Sequence, residues 1–151
     1  MVLAIPALLI VAAIEMTLRK KSLVWGTFGA GIGALAGLVA LVAAWFATGG
    51  WTDVVAPPLV ALVFVGCMAF AAEIVLRGWF VQRALDVGAP AWLAIGLGGA
   101  AEAVIMPGGI GAGVFGIGLG LMYVRGGLRA PLCARLAFAC GAVLLAACKL
   151  V

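Results

Sequence analysis

The sequence contains no histidine, and only 9% of its 151 residues carry a charged side chain. Soluble domains carry about 25% charged residues, so this chain has too little polar sequence to cover a water-exposed surface. The absence of histidine excludes Cys/His zinc sites and histidine-ligated haem or pigment. We therefore expect an integral membrane protein that uses no metal and no cofactor.

The sequence also lacks the CxxC spacing of a metal site or a redox pair. Its cysteines are Cys67, Cys133, Cys140 and Cys148. Each falls in an apolar run, which favours their interpretation as small, buried apolar residues.

The basic residues are few and form short clusters at the ends of apolar runs. The sequence pI is about 9.2, a value that would suit a nucleic-acid partner. Because membrane topology explains the clusters better than a polyanion does, we expect no nucleic-acid partner.

What the chain does contain is apolar sequence: 68% of its residues are hydrophobic, and the mean hydropathy is +1.37. A transmembrane helix needs about 20 apolar residues. The apolar segments are 2–18, 23–47, 54–76, 91–106, 110–124 and 131–150. The sequence predicts one all-α transmembrane domain over residues 1–151, a bundle of about six helices. Because the fourth and fifth segments are short, a five-span or re-entrant arrangement is the alternative.

The distribution of basic residues predicts the orientation of this bundle. With the N-terminus outside, every Lys and Arg except Lys149 falls on one side of the membrane. The positive-inside rule makes that side cytoplasmic. We therefore expect both termini to be extracytoplasmic, and the Ala/Gly/Val-rich composition suggests a prokaryotic cytoplasmic membrane.

Ionisable residues occur inside the predicted spans, where an unpaired charge costs roughly 2.5 kcal/mol or more. Glu73 and Arg77 lie four residues apart, which places them on one face of a helix in the favourable order. Glu102 has no basic residue within four positions. We hypothesise that Glu102 pairs with Arg135, whose long side chain can reach it from the sixth segment.

The fifth segment is rich in glycine at helix-packing spacing. Gly109 and Gly113 form one GxxxG pair, and Gly116 and Gly120 form a second. Such pairs let helix backbones approach closely. They indicate packing within the bundle or, alternatively, a face for another subunit.

Three segments together resemble the CPBP family, the CaaX-protease and bacteriocin-processing (Abi) type of intramembrane endopeptidase. Residues 72–83, AEIVLRGWFVQR, are similar to its Glu-Glu-x-x-x-Arg-Gly motif. The likeness continues through 91–95 and resumes in 116–131, which is similar to the family's Gly-x-x-x-Gly-x-x-Tyr helix and the turn after it. The CPBP-like part spans about residues 54–151 and implies an all-helical membrane fold.

The positions that the resemblance would make catalytic are degenerate. The first Glu of the family's pair is Ala72 here, and the histidine of its second motif is Met106. The His and Asn of the last motif become Arg135 and Ala139. Water activation needs a base or a metal together with donors for the oxyanion, and these four side chains provide no base. We therefore expect no catalytic residue, and Glu73 and Arg77 read as the scaffold of the motif.

These observations favour a catalytically inactive CPBP-like membrane protein that acts as an accessory, structural or assembly subunit of a larger membrane protein complex. Its partners would be other membrane protein subunits, with lipids or lipid-like ligands as a further possibility. One alternative is a divergent intramembrane endopeptidase that uses Glu73 or Glu102. Another is a small transporter or channel component whose path includes Glu102 and Arg135.

Overall fold

The computed structural model describes residues 29–48, 57–106 and 108–148 of the chain. Within these residues the protein is all-helical, with five helices and no strand. The helices are α1 (Ala30–Thr48), α2 (Pro58–Asp86), α3 (Ala91–Ile105), α4 (Ile110–Gly126) and α5 (Arg129–Cys148). The all-α prediction is therefore confirmed for the described part, and the predicted span 2–18 lies outside it.

Two helices are long and apolar enough to cross a membrane: α2, with 29 residues, and α5, with 20. The apolar parts of α1, α3 and α4 are shorter. The number of spans therefore stays a prediction.

Helix α2 continues ten residues beyond the predicted end of the third apolar segment. Pro58 opens it, at a position where the missing N–H costs nothing. Residues Ile74–Val81 form a π-helical segment, and the helix then continues as Gln82–Asp86. It ends at Asp86, and Gly88 follows with a φ of +87° that suits glycine; Gly88 N–H donates to the Leu85 carbonyl and Ala89 N–H to the Ala84 carbonyl.

Close glycine contacts fix the direction of α1 against α5. Gly33 lies on the backbone of Ala130, and Gly37 lies on that of Ala134 one turn further along. Because a step of four residues towards the C-terminus of α1 matches a step of four residues towards the C-terminus of α5, the two helices run parallel.

The other helices alternate in direction because their connections are short. Helices α3 and α4 form an antiparallel hairpin, and α5 packs against α1, α2 and α4. The turn after α2 and the turn before α5 therefore lie at the same end of the bundle. We call it the basic end, because it carries Arg83, Arg125 and Arg129.

The outer surface of the helices is apolar, whereas the centre holds charge. Large apolar side chains are exposed on all five helices, among them Leu35, Val63, Val104, Val114 and Leu144. Charged side chains almost never lie inside a water-soluble protein unless they are paired, and the four buried here, Glu73, Arg77, Glu102 and Arg135, are paired.

The cysteines do not share the burial that the sequence suggested. Cys67 and Cys148 are exposed, and Cys133 and Cys140 are half-buried. The expectation of four buried cysteines is wrong because these residues lie on helix faces that the bundle covers only in part or not at all. An apolar run predicts a helix without predicting which side faces inward.

Candidate functional site

Four ionisable side chains meet inside the bundle, and we call them the ion quartet: Glu73, Arg77, Glu102 and Arg135. Helix α2 supplies the first two, α3 supplies Glu102, and α5 supplies Arg135. Glu73 and Arg77 are fully buried, Glu102 is 1% exposed, and Arg135 is 8% exposed. With two carboxylates and two guanidinium groups, the ion quartet has no net charge.

Glu102 binds both arginines through separate oxygens. Its Oε2 accepts a hydrogen bond from Arg77 Nη2 at 2.5 Å, and its Oε1 accepts one from Arg135 Nη2. The sequence suggested the second partner, Arg135, whereas Arg77 was expected to pair with Glu73. Glu102 thereby connects α3 to both α2 and α5.

Glu73 completes the cluster through one of its two oxygens. Its Oε1 accepts a hydrogen bond from Arg135 Nε and lies 3.6 Å from Arg77 Nη1. Its Oε2 is buried and makes no hydrogen bond within the described part of the chain; the same holds for Nε and Nη1 of Arg77. The predicted Glu73–Arg77 pair is therefore an ion-pair contact, and Arg77 makes its shorter contact with Glu102.

Helix α4 supports the ion quartet without contributing a charge. The Gly116 carbonyl oxygen accepts a hydrogen bond from Arg77 Nη2 at 2.7 Å. A Cβ on Gly116 would lie only 2.6 Å from Glu102 Oε2, so a larger residue there would displace the Glu102 carboxylate. The Phe115 ring lies 5.9 Å from Arg135 Cζ, within the range of a cation–π contact.

Sequence reasoning missed these contributions of Phe115 and the Gly116 carbonyl. Phe115 is one of seven phenylalanines in an apolar chain, and nothing in its neighbourhood marks it as a partner of Arg135. Gly116 was singled out for its spacing alone. A backbone acceptor leaves no signal in residue type, so only the fold reveals it.

Of the four glycines singled out by their GxxxG spacing, three face α3 and one does not. A Cβ on Gly113 would meet Ala103 at 2.9 Å, and one on Gly120 would meet Ile95 at 3.1 Å. Together with Gly116 these glycines face inward. Gly109 instead precedes the helix with a φ of +51°, and its Cβ position has no neighbour within 4 Å.

The degenerate motif positions are only partly brought together. Ala72 is buried beside Glu73, and Arg135 lies within the ion quartet. Ala139 is half-buried one turn after Arg135, and Met106 follows the end of α3. Of the four, only Arg135 makes a polar contact with another side chain of the quartet.

The four side chains of the ion quartet already bind one another, and this limits the reactions that they can catalyse. Breaking a buried ion pair by removing one partner typically costs 3–5 kcal/mol, because a charge is left uncompensated. Within the described residues, no group of three or more His, Cys, Asp or Glu side chains is placed to hold a metal ion.

Comparisons with family models, with curated proteins and with solved structures found no match for this chain.

Proposed function

We propose that the protein is an integral component of a prokaryotic cytoplasmic membrane, with six spans and both termini on the extracytoplasmic side. Its apolar exterior supports this proposal, as do the lengths of α2 and α5. Charge supports the orientation: Arg125 and Arg129 are exposed, and both lie at the basic end. Arginines at one end of an apolar bundle are typical of a cytoplasmic face.

Within that membrane we propose a catalytically inactive, CPBP-like scaffold. The observation that carries this proposal is the pairing of Glu102. A carboxylate that activates water must contact that water directly and must have space beside it for a substrate. Both oxygens of Glu102 instead accept hydrogen bonds from arginines, and Arg135 stands where the resemblance would put a histidine.

We further propose that this scaffold acts as an accessory, structural or assembly subunit of a larger membrane protein complex. The connections between α2, α3, α4 and α5 are two to four residues long, so these helices carry no sizeable domain outside the bundle. Recognition of a partner would then occur along the helix faces. The exposed apolar side chains of α1 and α2 offer such lateral contacts.

The test is purification of the full chain from its native membrane in a mild detergent, followed by mass spectrometry of the co-purifying proteins. We expect a stoichiometric set of membrane proteins that survives a second, orthogonal affinity step. An unrelated polytopic protein expressed at the same level provides the control. A homogeneous monomer without partners, obtained under conditions that preserve other membrane complexes, would contradict the subunit role.

One observation favours a second candidate, a divergent intramembrane endopeptidase that uses Glu73. Its Oε2 is the only carboxylate oxygen of the ion quartet without a hydrogen bond in the described part of the chain. The purified protein would be incubated with a prenylated peptide and with a leader peptide. On our proposal neither peptide is cleaved above background; cleavage that disappears in Glu73→Gln but survives in Gln82→Glu would establish the enzyme instead.

A further inference from the structure

At the basic end, two arginines stand exposed beside an outward-facing apolar stripe. Arg125 lies in the last turn of α4, and Arg129 is the first residue of α5. Only Gly127 and Leu128 separate the two helices, so Arg125 and Arg129 lie on either side of one tight turn. Neither makes an ion pair or a hydrogen bond with another described side chain, which leaves both available to a ligand.

The position of Arg129 at the start of α5 also favours the binding of an anion. A helix N-terminus carries partial positive charge, and acidic residues usually stabilise it there. The first turn of α5 has no acidic residue and begins with a cation instead. A phosphate group at this turn would offset both the guanidinium charges and the helix dipole.

The surface directly below Arg125 is apolar and contains a notch. Val114, Ile117 and Leu121 are exposed along one side of α4. Gly118 lies two helical turns before Arg125 on the same face, and its Cβ position has no neighbour within 4 Å. The stripe from Val114 to Arg125 is about 16 Å long, which matches the roughly 15 Å of hydrocarbon in one leaflet.

From this arrangement we propose that Arg125, Arg129 and the notch at Gly118 form a binding site for one anionic glycerophospholipid. The phosphate binds the two guanidinium groups, and an acyl chain lies along Val114, Ile117 and Leu121. A free anion would satisfy the arginines but would leave the apolar stripe unused, so charge and shape together favour a lipid. The inference rests on the membrane location proposed above and names one ligand of that location.

The test is native mass spectrometry of the full chain in a neutral detergent, titrated with dioleoyl phosphatidylglycerol or with dioleoyl phosphatidylcholine. Because the acyl chains are identical, the two lipids differ only in their headgroups. We expect the anionic lipid to be retained on the order of tenfold more than the zwitterionic one, since each basic residue adds to binding at an anionic surface. Equal retention of the two lipids would overturn the proposal.

Variants then locate the site. Arg125→Gln with Arg129→Gln should remove the preference, whereas Lys149→Gln, a charge loss after the other end of α5, should leave it intact. Gly118→Leu fills the notch without an internal clash and should weaken retention; Gly66→Leu, at an equally open position on α2, should not. An equal loss in Lys149→Gln, or no loss in either site variant, would contradict the assignment.

Two further arms separate the possible failures. Inorganic phosphate at the lipid's concentration should not displace the retained lipid; displacement would assign the arginines to a free anion. Alkaline carbonate extraction of native membranes tests the location itself. A protein released by carbonate contradicts the membrane proposal, whereas one that stays in the membrane but shows no headgroup preference contradicts only the lipid site.

Discussion

At the scale of single residues, the main feature is that every charge in the centre of the bundle has an opposite charge within contact distance. Arg77 contacts Glu102 and lies near Glu73, and Arg135 contacts both carboxylates. In an apolar interior such contacts are worth little as net stability, but their loss is costly because the remaining charge stays buried. The ion quartet therefore acts as a unit, and its members should be tested in combination.

Neutralising one member of the ion quartet should destabilise the protein more than neutralising an opposite pair. Glu102→Gln should cost about 3–5 kcal/mol, because it leaves two arginines facing one carboxylate. Adding Arg135→Gln restores neutrality, with Glu73 and Arg77 left to compensate each other. Thermal unfolding in detergent, analysed as a double-mutant cycle, measures the coupling.

The matched control for this cycle is Arg129→Gln, which removes one arginine from the exposed start of the same helix α5. It should change stability by less than about 0.5 kcal/mol, as surface substitutions usually do. Additive effects of Glu102→Gln and Arg135→Gln would show that the two side chains do not interact in the folded protein.

A second polar contact lies nearer the basic end. The Tyr123 hydroxyl donates a hydrogen bond of 2.7 Å to Gln82 Oε1, and the Tyr123 ring packs with Val81, Ala94 and Leu128. Tyr123→Phe keeps the ring and removes the donor, so it should cost about 0.5–1.5 kcal/mol in thermal unfolding. Tyr123→Leu should lower the stability further, since it also changes the packing of the ring. If wild type and Tyr123→Phe were equally stable, the hydrogen bond to Gln82 would not contribute to the stability of the protein.

At the scale of elements, glycine contacts and a π-helical segment determine how the helices fit. The backbones of α1 and α5 approach so closely that Gly33 and Gly37 sit directly on carbonyl groups of α5. In α2, the π-helical segment Ile74–Val81 contains Arg77, and π-helical turns often occur where a side chain has a specific role. Interhelical packing of this kind depends on close backbone approach, as expected for helices in lipid.

The α1–α5 contact can be tested with two glycines of one helix. A Cβ at Gly37 would lie 2.0 Å from the Ala134 carbonyl oxygen, whereas a Cβ at Gly31 has no neighbour within 4 Å. Gly37→Ala should therefore destabilise the protein by about 1–3 kcal/mol, as overpacking does, and separate α1 from α5. Gly31→Ala should be neutral or stabilising because alanine favours helix.

Thermal unfolding of both variants, with cross-linking between cysteines introduced on α1 and α5, measures stability and separation together. If Gly37→Ala were as stable as Gly31→Ala and cross-linked equally well, the close approach of the two helices would be excluded.

The sequence predicted helices more successfully than it predicted their contacts. Apolar runs and their Gly/Pro boundaries indicate α2 to α5, because these signals are local. The spacing of Glu73 and Arg77 likewise marks them as neighbours. The contact between Arg77 and Glu102, 25 residues apart, depends on helix packing and on the π-helical segment, and no local pattern encodes either.

At the scale of the whole molecule, the distribution of polarity is the main feature: in the part of the chain that the structure describes, charge is concentrated inside and at one end, and the sides are apolar. This distribution suits a lipid environment, since bilayer hydrocarbon favours an apolar exterior. Cys67 provides a probe of that environment, because it is exposed on α2 and lies far from either end of the helix.

In a variant that retains only Cys67, a charged maleimide should leave the thiol unmodified in intact membranes, and detergent denaturation should make it fully reactive. The physical reason is that a charged reagent does not readily enter the hydrocarbon layer. A cysteine introduced at Arg125 serves as the accessible control. Modification of Cys67 in intact membranes at the rate of that control would contradict the proposed location.

The composition of the ion quartet also has a consequence for how the chain is made. Glu73 and Arg77 emerge together on α2 and can neutralise each other at once. Glu102 follows 25 residues after Arg77, and Arg135 is synthesised another 33 residues later. A nascent chain that ends between α3 and α5 therefore holds two carboxylates against one arginine, and translation of α5 restores the balance. Helix α5 thus completes the charge balance of α2 and α3, which are synthesised before it.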